Sequence, residues 1–270
     1  MSQNSTGLSK RMSNQLSRRK FVAAGTLAFY SLRSGFSAET SQFQENLVGE
    51  TSNGSKQGGQ AKDQRGQNAD VWRGMSLDGW MGLDGQGVSG GWQAKDGVIS
   101  LRKTLLRSGH IVTRQEFGDF ELGFEWRLAK GGNSGIKYRV RTYGDRTLGC
   151  EYQIYDPSGD PNGGAVERKN STASIYDLYE PNDQVHVRAI GEWNTAKIVV
   201  RAGRIEHWLN ESKVVEATVG DQEWERRVAG SKFNDVKDFS KNPCGRIMLT
   251  DHGSDVAYRN FQFSSFGTEC

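Results

Sequence analysis

A strand-like segment in the middle of the chain carries a carboxylate, an amide and a phenol at alternate positions. It runs from Glu151 to Asp156 and reads EYQIYD. The period of two in a β-strand places Glu151, Gln153 and Tyr155 on one face. Two acceptors and a donor on one face suit the hydroxyl groups of a sugar, and an aromatic ring can stack on its C–H face.

The preceding strand-like segment supplies cations and a second amide. Lys137 and Arg139 alternate along Gly135–Arg141, and Asn133 lies at the entry, among glycines that permit a tight bend and close approach of a ligand. If the two segments pair, they form a sugar-sized polar surface. The alternative is that these residues only make up the solvated face of a sheet, which is the usual reason for such alternation.

Two histidines are further candidates. His252 lies beside Asp251 in a turn, a reasonable acid–base pair, although most such residues only satisfy hydrogen bonds at a turn. His207 shares a strand with Trp208, where a binding role competes with ordinary packing. The sequence contains no phosphate-binding loop or HExxH zinc motif.

Short segments of period two, separated by Gly, Asn and Asp, predict a sheet protein. Phe120–Leu128 is the clearest, with apolar residues on one face and charged residues on the other. The other main predicted strands are Val98–Leu101, Gly135–Arg141, Cys150–Tyr155, Lys197–Arg201, Arg204–Leu209, Gly245–Leu249 and Val256–Phe263. One short helix is predicted from Gln222 to about Ala229, with Asp221 as its N-cap.

The number of strands predicts two packed sheets, because one open sheet could not bury the apolar faces of them all. The predicted fold class is therefore all-β: a two-sheet antiparallel β-sandwich, a jelly roll of the concanavalin/laminin-G type, with one short helix. An up-and-down barrel is the alternative architecture. No internal repeat is visible, which argues against a propeller.

The first 38 residues predict a twin-arginine signal peptide. Arg18 and Arg19 precede Lys20-Phe21 and an apolar stretch, Val22–Leu32, that is too short to span a bilayer. The prediction is an exported protein, periplasmic or extracellular, with no stable membrane span in its mature form. The alternative is a short basic amphipathic helix on a cytosolic protein.

The remaining chain divides into a linker and a domain. Residues 39–70 are polar and rich in Gly and Gln, which predicts a disordered linker, and 71–266 form the predicted sandwich domain. The net charge of +3 includes no basic stripe beyond the signal, which argues against nucleic acid as a partner. The three cysteines, Cys150, Cys244 and Cys270, lack zinc-ligand spacing, and one pair could form a disulfide after export.

Ordered motifs across the domain resemble the 3-keto-disaccharide hydrolase family. They extend from about Trp72 to Phe263 and include, in order, SLDGW (76–80), GGNSGIKYR (131–139), EYQIYD (151–156), SIYDLYEP (174–181), GEWNT (191–195), EHWLN (206–210), SKFN (231–234) and DHG (251–253). Thr250 precedes DHG where the family often has Gln. The resemblance implies a concanavalin-like jelly roll that acts on glycosides oxidised at C3 of the sugar.

Such a substrate implies a particular chemistry. A ketone at C3 acidifies the C2 proton, so a base can form an enolate, the C1 aglycone can leave, and water can add back. The acid–base candidates are Glu151, His252, His207 and Asp156, and the candidate substrate-binding residues are Asn133, Arg139, Gln153, Tyr176 and Lys137. A divalent cation could share the stabilisation of the enolate, although the sequence identifies no ligand set for one.

Three functions are therefore compared. The first is cleavage of 3-keto-glycosides by elimination and hydration or by net hydrolysis. The second is a lectin-like module that binds carbohydrate without converting it, at a shallow aromatic site. A conventional glycosidase is the third, and it is disfavoured because Gln153 occupies the place where a second carboxylate would lie.

Overall fold

The computed structural model of the protein describes residues 71–88, 90–159, 166–267 and 270. The predicted signal at 1–38 and linker at 39–70 lie outside this part of the chain. The strands are β1 (Trp80–Gly82), β2 (Trp92–Lys95), β3 (Val98–Leu101), β4 (Ile111–Thr113), β5 (Phe120–Leu128), β6 (Asn133–Tyr143), β7 (Arg146–Tyr155), β8 (Asn194–Arg201), β9 (Arg204–Leu209), β10 (Ser212–Thr218), β11 (Arg246–Leu249) and β12 (Val256–Ser265).

These strands form two antiparallel sheets. The five-stranded sheet has the order β1-β4-β11-β6-β7, and the seven-stranded sheet has the order β10-β9-β8-β5-β12-β3-β2. One complete helix, α1 (Gln222–Ala229), lies within the described residues. The predicted all-β sandwich with a short helix is confirmed.

The core lies between the two sheets, because alternate residues of the long strands are apolar. Leu122 and Phe124 of β5 are buried on the inner face of the seven-stranded sheet, and Ile136 and Tyr152 are buried on the inner face of the other. The rings of Phe124 and Tyr152 meet edge to face across the interior, with centroids 5.6 Å apart. Apolar burial therefore fixes which face of β6 and β7 points outward.

The local signals for α1 act as predicted. The Asp221 carboxylate accepts a hydrogen bond from the backbone N–H of Trp224 at 2.7 Å, which satisfies one of the free donors at the helix start. Trp224 is fully buried and anchors this short helix to the core. A cap of this kind contributes about 1 kcal/mol to stability.

A bulge in β6 changes the direction of Arg139. The pairing of β6 with β7 shifts register between Tyr138 and Arg141, and Arg139 has a φ of 52°. The Arg139 guanidinium is buried and donates to the backbone oxygen of Ser240 at 3.0 Å. The prediction that Arg139 lies on the same sheet face as Lys137 is therefore wrong. The extra residue of the bulge interrupts the period of two.

Two further features concern the cysteines and the membrane prediction. Cys244 and Cys270 form a disulfide, whereas Cys150 is a buried free thiol. None of the helices in the described residues combines the length and the apolar character needed to cross a bilayer.

Candidate active site

The candidate site lies on the outer face of the five-stranded sheet, where β6 and β7 pair. Lys137 lies opposite Glu151, and Gly135 lies opposite Gln153, as expected if the two polar segments are neighbours. Tyr152, between Glu151 and Gln153, faces the core and is fully buried. Strand alternation therefore places Glu151, Gln153 and Lys137 on the face that points away from the core.

The Glu151 carboxylate is the centre of this face. Its Oε2 lies 3.6 Å from Lys137 Nζ, and its Oε1 lies 3.8 Å from His252 Nε2 and 3.5 Å from Thr250 Oγ1. Only 6% of Glu151 is exposed. A carboxylate this buried needs charged or hydrogen-bonding partners, and these three residues provide them.

Gly135 makes room for this carboxylate. A Cβ atom at Gly135 would lie 2.5 Å from Oε1 of Glu151, closer than van der Waals contact allows. The Glu151 side chain therefore extends across the backbone of β6 at the one residue without a side chain. The glycine of the NSG sequence has a specific steric role at this point.

A loop segment closes the free edge of β7 and brings further side chains to the site. The backbone N–H of Tyr176 donates to the Glu151 carbonyl at 3.0 Å, and that of Ala173 donates to the Gln153 carbonyl at 2.8 Å. This pairing covers an edge strand that would otherwise present free backbone groups. It also places Tyr176 beside Lys232, whose Nζ lies 4.0 Å from the centre of the phenol ring.

The charges around Glu151 keep it ionised. Burial alone would raise the pKa of the carboxyl, but the Lys137 ammonium, His252 and the Lys232 ammonium outweigh it and hold the pKa below its usual value. Burial and the nearby Glu151 charge raise the pKa of Tyr176, so its phenol stays protonated and can donate. At neutral pH the site combines one buried anion with cations and a neutral phenol.

His110 joins the site from the turn that leads into β4. Its Nδ1 accepts a hydrogen bond from the backbone N–H of Asp251 at 2.9 Å, and its ring lies edge to face with that of His252 at 5.6 Å. Burial and the Lys137 ammonium lower the pKa of His110 to about 4. The imidazole of His110 is therefore neutral at physiological pH.

The Glu151 cluster is the name used below for this group of side chains. Its members are Glu151, Lys137, His252, His110, Tyr176 and Lys232. Four were predicted from the sequence: Glu151, His252, Lys137 and Tyr176. Gln153 and Asn133, also predicted, are neighbours on the same sheet face, with Gln153 Nε2 and Asn133 Oδ1 3.5 Å apart.

His207 does not join the cluster, which corrects the prediction that placed it in the site. It is fully buried between the sheets, where Nε2 contacts the Tyr138 hydroxyl and Nδ1 contacts the Ala173 carbonyl, both at 2.9 Å. Because a carbonyl only accepts, Nδ1 donates and Nε2 accepts. In β9, His207 alternates with Ile205 and Leu209, both buried, so it points inward with them.

Two other predicted residues are also engaged elsewhere. Arg139 is turned toward Ser240 by the bulge described above, away from the Glu151 cluster. Asp156 accepts hydrogen bonds from the backbone N–H of Gly131 at 2.6 Å and from both the N–H and the hydroxyl of Ser158. The Asp156 carboxylate thus holds together the turns that follow β7 and precede β6.

The sequence interpretation missed three residues of the site. His110 directly precedes the strand Ile111–Thr113, and Lys232 lies within the SKFN motif, but neither has a distinctive neighbour in the sequence. One feature of the sequence could have indicated the position of His110. It lies two residues before Val112, so the period of two in a strand puts both on one face of β4. The specific role of Gly135 follows only once its partner across the sheet is known.

The described residues contain no group of three or more His, Cys, Asp or Glu side chains arranged to hold a metal ion. Glu151 and His252 approach each other, but Lys137 lies on the other carboxylate oxygen. This donor set suits proton transfer and stabilisation of a developing anion. Both are steps of acid–base chemistry next to a carbonyl group.

Comparison with known families places this geometry in context. A model of the 3-keto-alpha-glucoside-1,2-lyase-like domain matches residues 68–264, well over half of the chain. The chain belongs to this family. The match covers both sheets and every member of the Glu151 cluster, and it confirms the resemblance found in the ordered motifs.

A curated relative of the chain is consistent with this family assignment. A 3-keto-disaccharide hydrolase from Bacteroides thetaiotaomicron is 32% identical over 197 residues, an alignment that covers 64% of this chain and 64% of that relative. The chain thus spans less than two thirds of the length of this curated relative.

Two solved structures from Parabacteroides distasonis, each described as a candidate glycosyl hydrolase, share the fold. The first has a TM-score of 0.64 and 27% identity, covering 74% of this chain and 96% of its own. The second has a TM-score of 0.56 and 25% identity, covering 72% and 98%. Both alignments span nearly the whole of the solved chains, so the sandwich of this lyase-like domain is a shared architecture.

Proposed function

We propose that the protein cleaves glycosides whose sugar carries a ketone at C3, and that the reaction takes place at the Glu151 cluster. The observation that carries this proposal is a buried, ionised carboxylate held between Lys137 and His252. Family membership and the named activity of the Bacteroides relative support a 3-keto-glycoside as the substrate class. A lectin-like site would not require this concentration of buried titratable groups.

In the proposed first step, His252 removes the proton from C2. The C2–H bond breaks, its electrons form the C2–C3 double bond of an enolate, and the negative charge moves to the C3 oxygen. His252 is assigned this role because 29% of its side chain is exposed, against 7% for Glu151. Glu151 lies 3.8 Å from His252 Nε2 and stabilises the imidazolium that forms.

In the second step the C3 carbonyl re-forms, a double bond forms between C1 and C2, and the C1–O bond to the aglycone breaks. The departing oxygen takes the proton held by His252. Addition of water across C1 and C2 then completes a net hydrolysis. The Lys137 and Lys232 ammonium groups, both close enough to lower the pKa of Glu151, supply positive charge for the enolate.

The test compares a 3-keto-disaccharide with its unoxidised parent. We expect the purified protein to release the aglycone from the ketosugar only, and Glu151→Gln to lower turnover with little change in thermal stability. Glu116→Gln, at an exposed carboxylate on the connection between β4 and β5, is the matched control. Binding of both sugars without product would indicate a lectin-like module, and cleavage of the parent would indicate a conventional glycosidase; either result would refute the proposal.

We also propose that the protein acts outside the cytoplasm. The Arg18-Arg19 pair supports export, and a disulfide such as Cys244–Cys270 persists in oxidising compartments. Replacement of both arginines by lysine is expected to leave the precursor inside the cell. Fractionation of cells that produce the two forms tests this, and unchanged export would contradict it.

A further inference from the structure

His110 differs from the other members of the Glu151 cluster because one ring nitrogen is already engaged. Its Nδ1 accepts a hydrogen bond from the backbone N–H of Asp251 at 2.9 Å. That N–H is held in place, since the Asp251 carboxylate accepts the backbone N–H groups of Gly109 at 3.0 Å and Gly253 at 2.7 Å. The turns on either side of His110 therefore fix its orientation.

This contact determines the tautomer of His110. A nitrogen that accepts from a backbone N–H carries no proton, so the single proton of a neutral imidazole must reside on Nε2. The charged form would need a second proton on Nδ1, which would face the Asp251 N–H. The low pKa of His110, caused by burial and by the neighbouring Lys137, agrees with a ring that is neutral at physiological pH.

The surroundings of His110 place it at the reacting part of the cluster. Its ring contacts that of His252, the proposed base, and both Lys137 and Glu151 are close enough to shift its proton equilibrium. A neutral imidazole is a poor source of a full proton, because loss of the Nε2 proton would leave an imidazolate anion. It is a good donor of a hydrogen bond to a developing negative charge.

We propose that His110 is a catalytic residue that donates a hydrogen bond from Nε2 to the C3 oxygen of the bound ketosugar. This inference rests on the proposed function. While His252 removes the C2 proton, negative charge accumulates on the C3 oxygen. The hydrogen bond from His110 Nε2–H to that oxygen becomes stronger, and the proton stays on His110. His110 and Lys137 together form the hole that stabilises the enolate, and His252 alone carries the proton that moves.

The direct test is the carbonyl stretch of a bound ketosugar. A 3-keto-1,5-anhydro sugar, which has no aglycone to lose, labelled with carbon-13 at C3, serves as the probe. We expect infrared difference spectra to show a lower stretching frequency on the wild-type protein than in water, and His110→Ala to lose most of that shift. An unchanged shift in His110→Ala would overturn the inference.

Kinetics with different leaving groups provide the second test. His110→Ala is expected to lower kcat by about 10²-fold, the usual effect of removing one oxyanion donor, by the same factor for aryl and alkyl 3-keto-glycosides. His110→Gln, which keeps an N–H donor at the end of the side chain, should recover part of the rate. A loss that grows with the basicity of the leaving alcohol would place His110 at the aglycone instead and would overturn the inference.

A control separates this inference from the proposed function. His186 is an exposed histidine, and His186→Ala is expected to retain the wild-type rate and carbonyl shift. If the wild-type protein cleaves no 3-keto-glycoside, the proposed function fails. If the wild type cleaves it and His110→Ala does so equally well, only the role of His110 fails.

Discussion

The outer faces of the two sheets use the same strand pattern for different purposes. On the seven-stranded sheet, Arg204 pairs with Glu206 at 3.0 Å and with Glu216 at 2.7 Å, and Lys213 pairs with both glutamates. On the five-stranded sheet, Glu151 is surrounded by cations and is buried beneath loops. Polar alternation along a strand is therefore insufficient to identify a site, and the covering loops make the difference.

Cation–π contacts occur on both faces, since Lys232 lies over the Tyr176 ring in the Glu151 cluster, but the lysines differ in their other partners. Lys197 lies over the Trp208 ring at 4.5 Å on the seven-stranded sheet, and it also approaches Glu121 at 3.8 Å. Lys197, Trp208 and Glu121 therefore pair with one another at the solvent-exposed surface. In the Glu151 cluster the positive groups converge on one anion, which leaves positive charge available for a substrate that becomes negative during the reaction.

The largest expected effect separates the reactive face from the rest of the molecule. His252→Ala removes the proposed base and should lower kcat on 3-keto-glycosides by about 10³-fold, within the usual contribution of general base catalysis. Steady-state kinetics measure the change, with His186→Ala as the control. Turnover within a factor of two of wild type would remove His252 from the mechanism.

The interior between the two faces provides a pH-dependent prediction. Burial lowers the pKa of His207 to about 4, below its unfolded value of 6.5, so the unfolded chain binds a proton that the folded protein excludes. This contribution to stability is complete above pH 6.5 and is lost as pH falls toward 4. It amounts to on the order of 3 kcal/mol.

Urea unfolding at pH 7 and at pH 4.5 tests this assignment. As pH decreases from 7 to 4.5, the free energy of unfolding should fall more for the wild type than for His207→Gln. The variant lacks a group at this position that titrates in this range. Equal slopes for the two proteins would show that His207 is not held neutral in the core.

A matched pair of lysines compares the two faces directly. Lys137→Met removes a cation beside Glu151 and should lower kcat by about 10²-fold, because the enolate loses one source of positive charge. Lys197→Met, at an equivalent outward position of β8, should leave kcat unchanged. Equal losses in the two variants would mean that the five-stranded face has no special role.

The smallest effect is expected on the seven-stranded face. Glu216→Gln weakens exposed ion pairs with Arg204 and Lys213 and should change the free energy of unfolding by about 0.5 kcal/mol or less. The difference should vanish in high salt, because screening weakens surface pairs. A loss of activity in this variant would contradict the separation of roles between the two faces.

Local patterns predicted much of this structure. The observed bounds of β5 and α1 are those expected from strand alternation and from the Asp221 cap. The sequence also identified the two polar segments that carry Lys137 and Glu151, with their pairing left as a condition that the structure meets. In each case the decisive information lay within a few residues of the element itself.

Other features depend on contacts that the sequence does not display. The bulge at Arg139 places a residue other than glycine at positive φ, and nothing in its neighbours marks it. His110 reaches the site only because β4 lies next to β11, which carries the chain to His252. His207 differs from these, because its alternation with Ile205 and Leu209 already indicated an inward position.

The fate of the C2 hydrogen tests the proposed chemistry most directly. A 3-keto-disaccharide labelled with deuterium at C2 should be cleaved more slowly than the unlabelled sugar, and early product formed in ordinary water should have lost the label. Retention of deuterium at C2 with no isotope effect on kcat would show that the glycosidic bond breaks without proton abstraction. That result would contradict elimination at the Glu151 cluster.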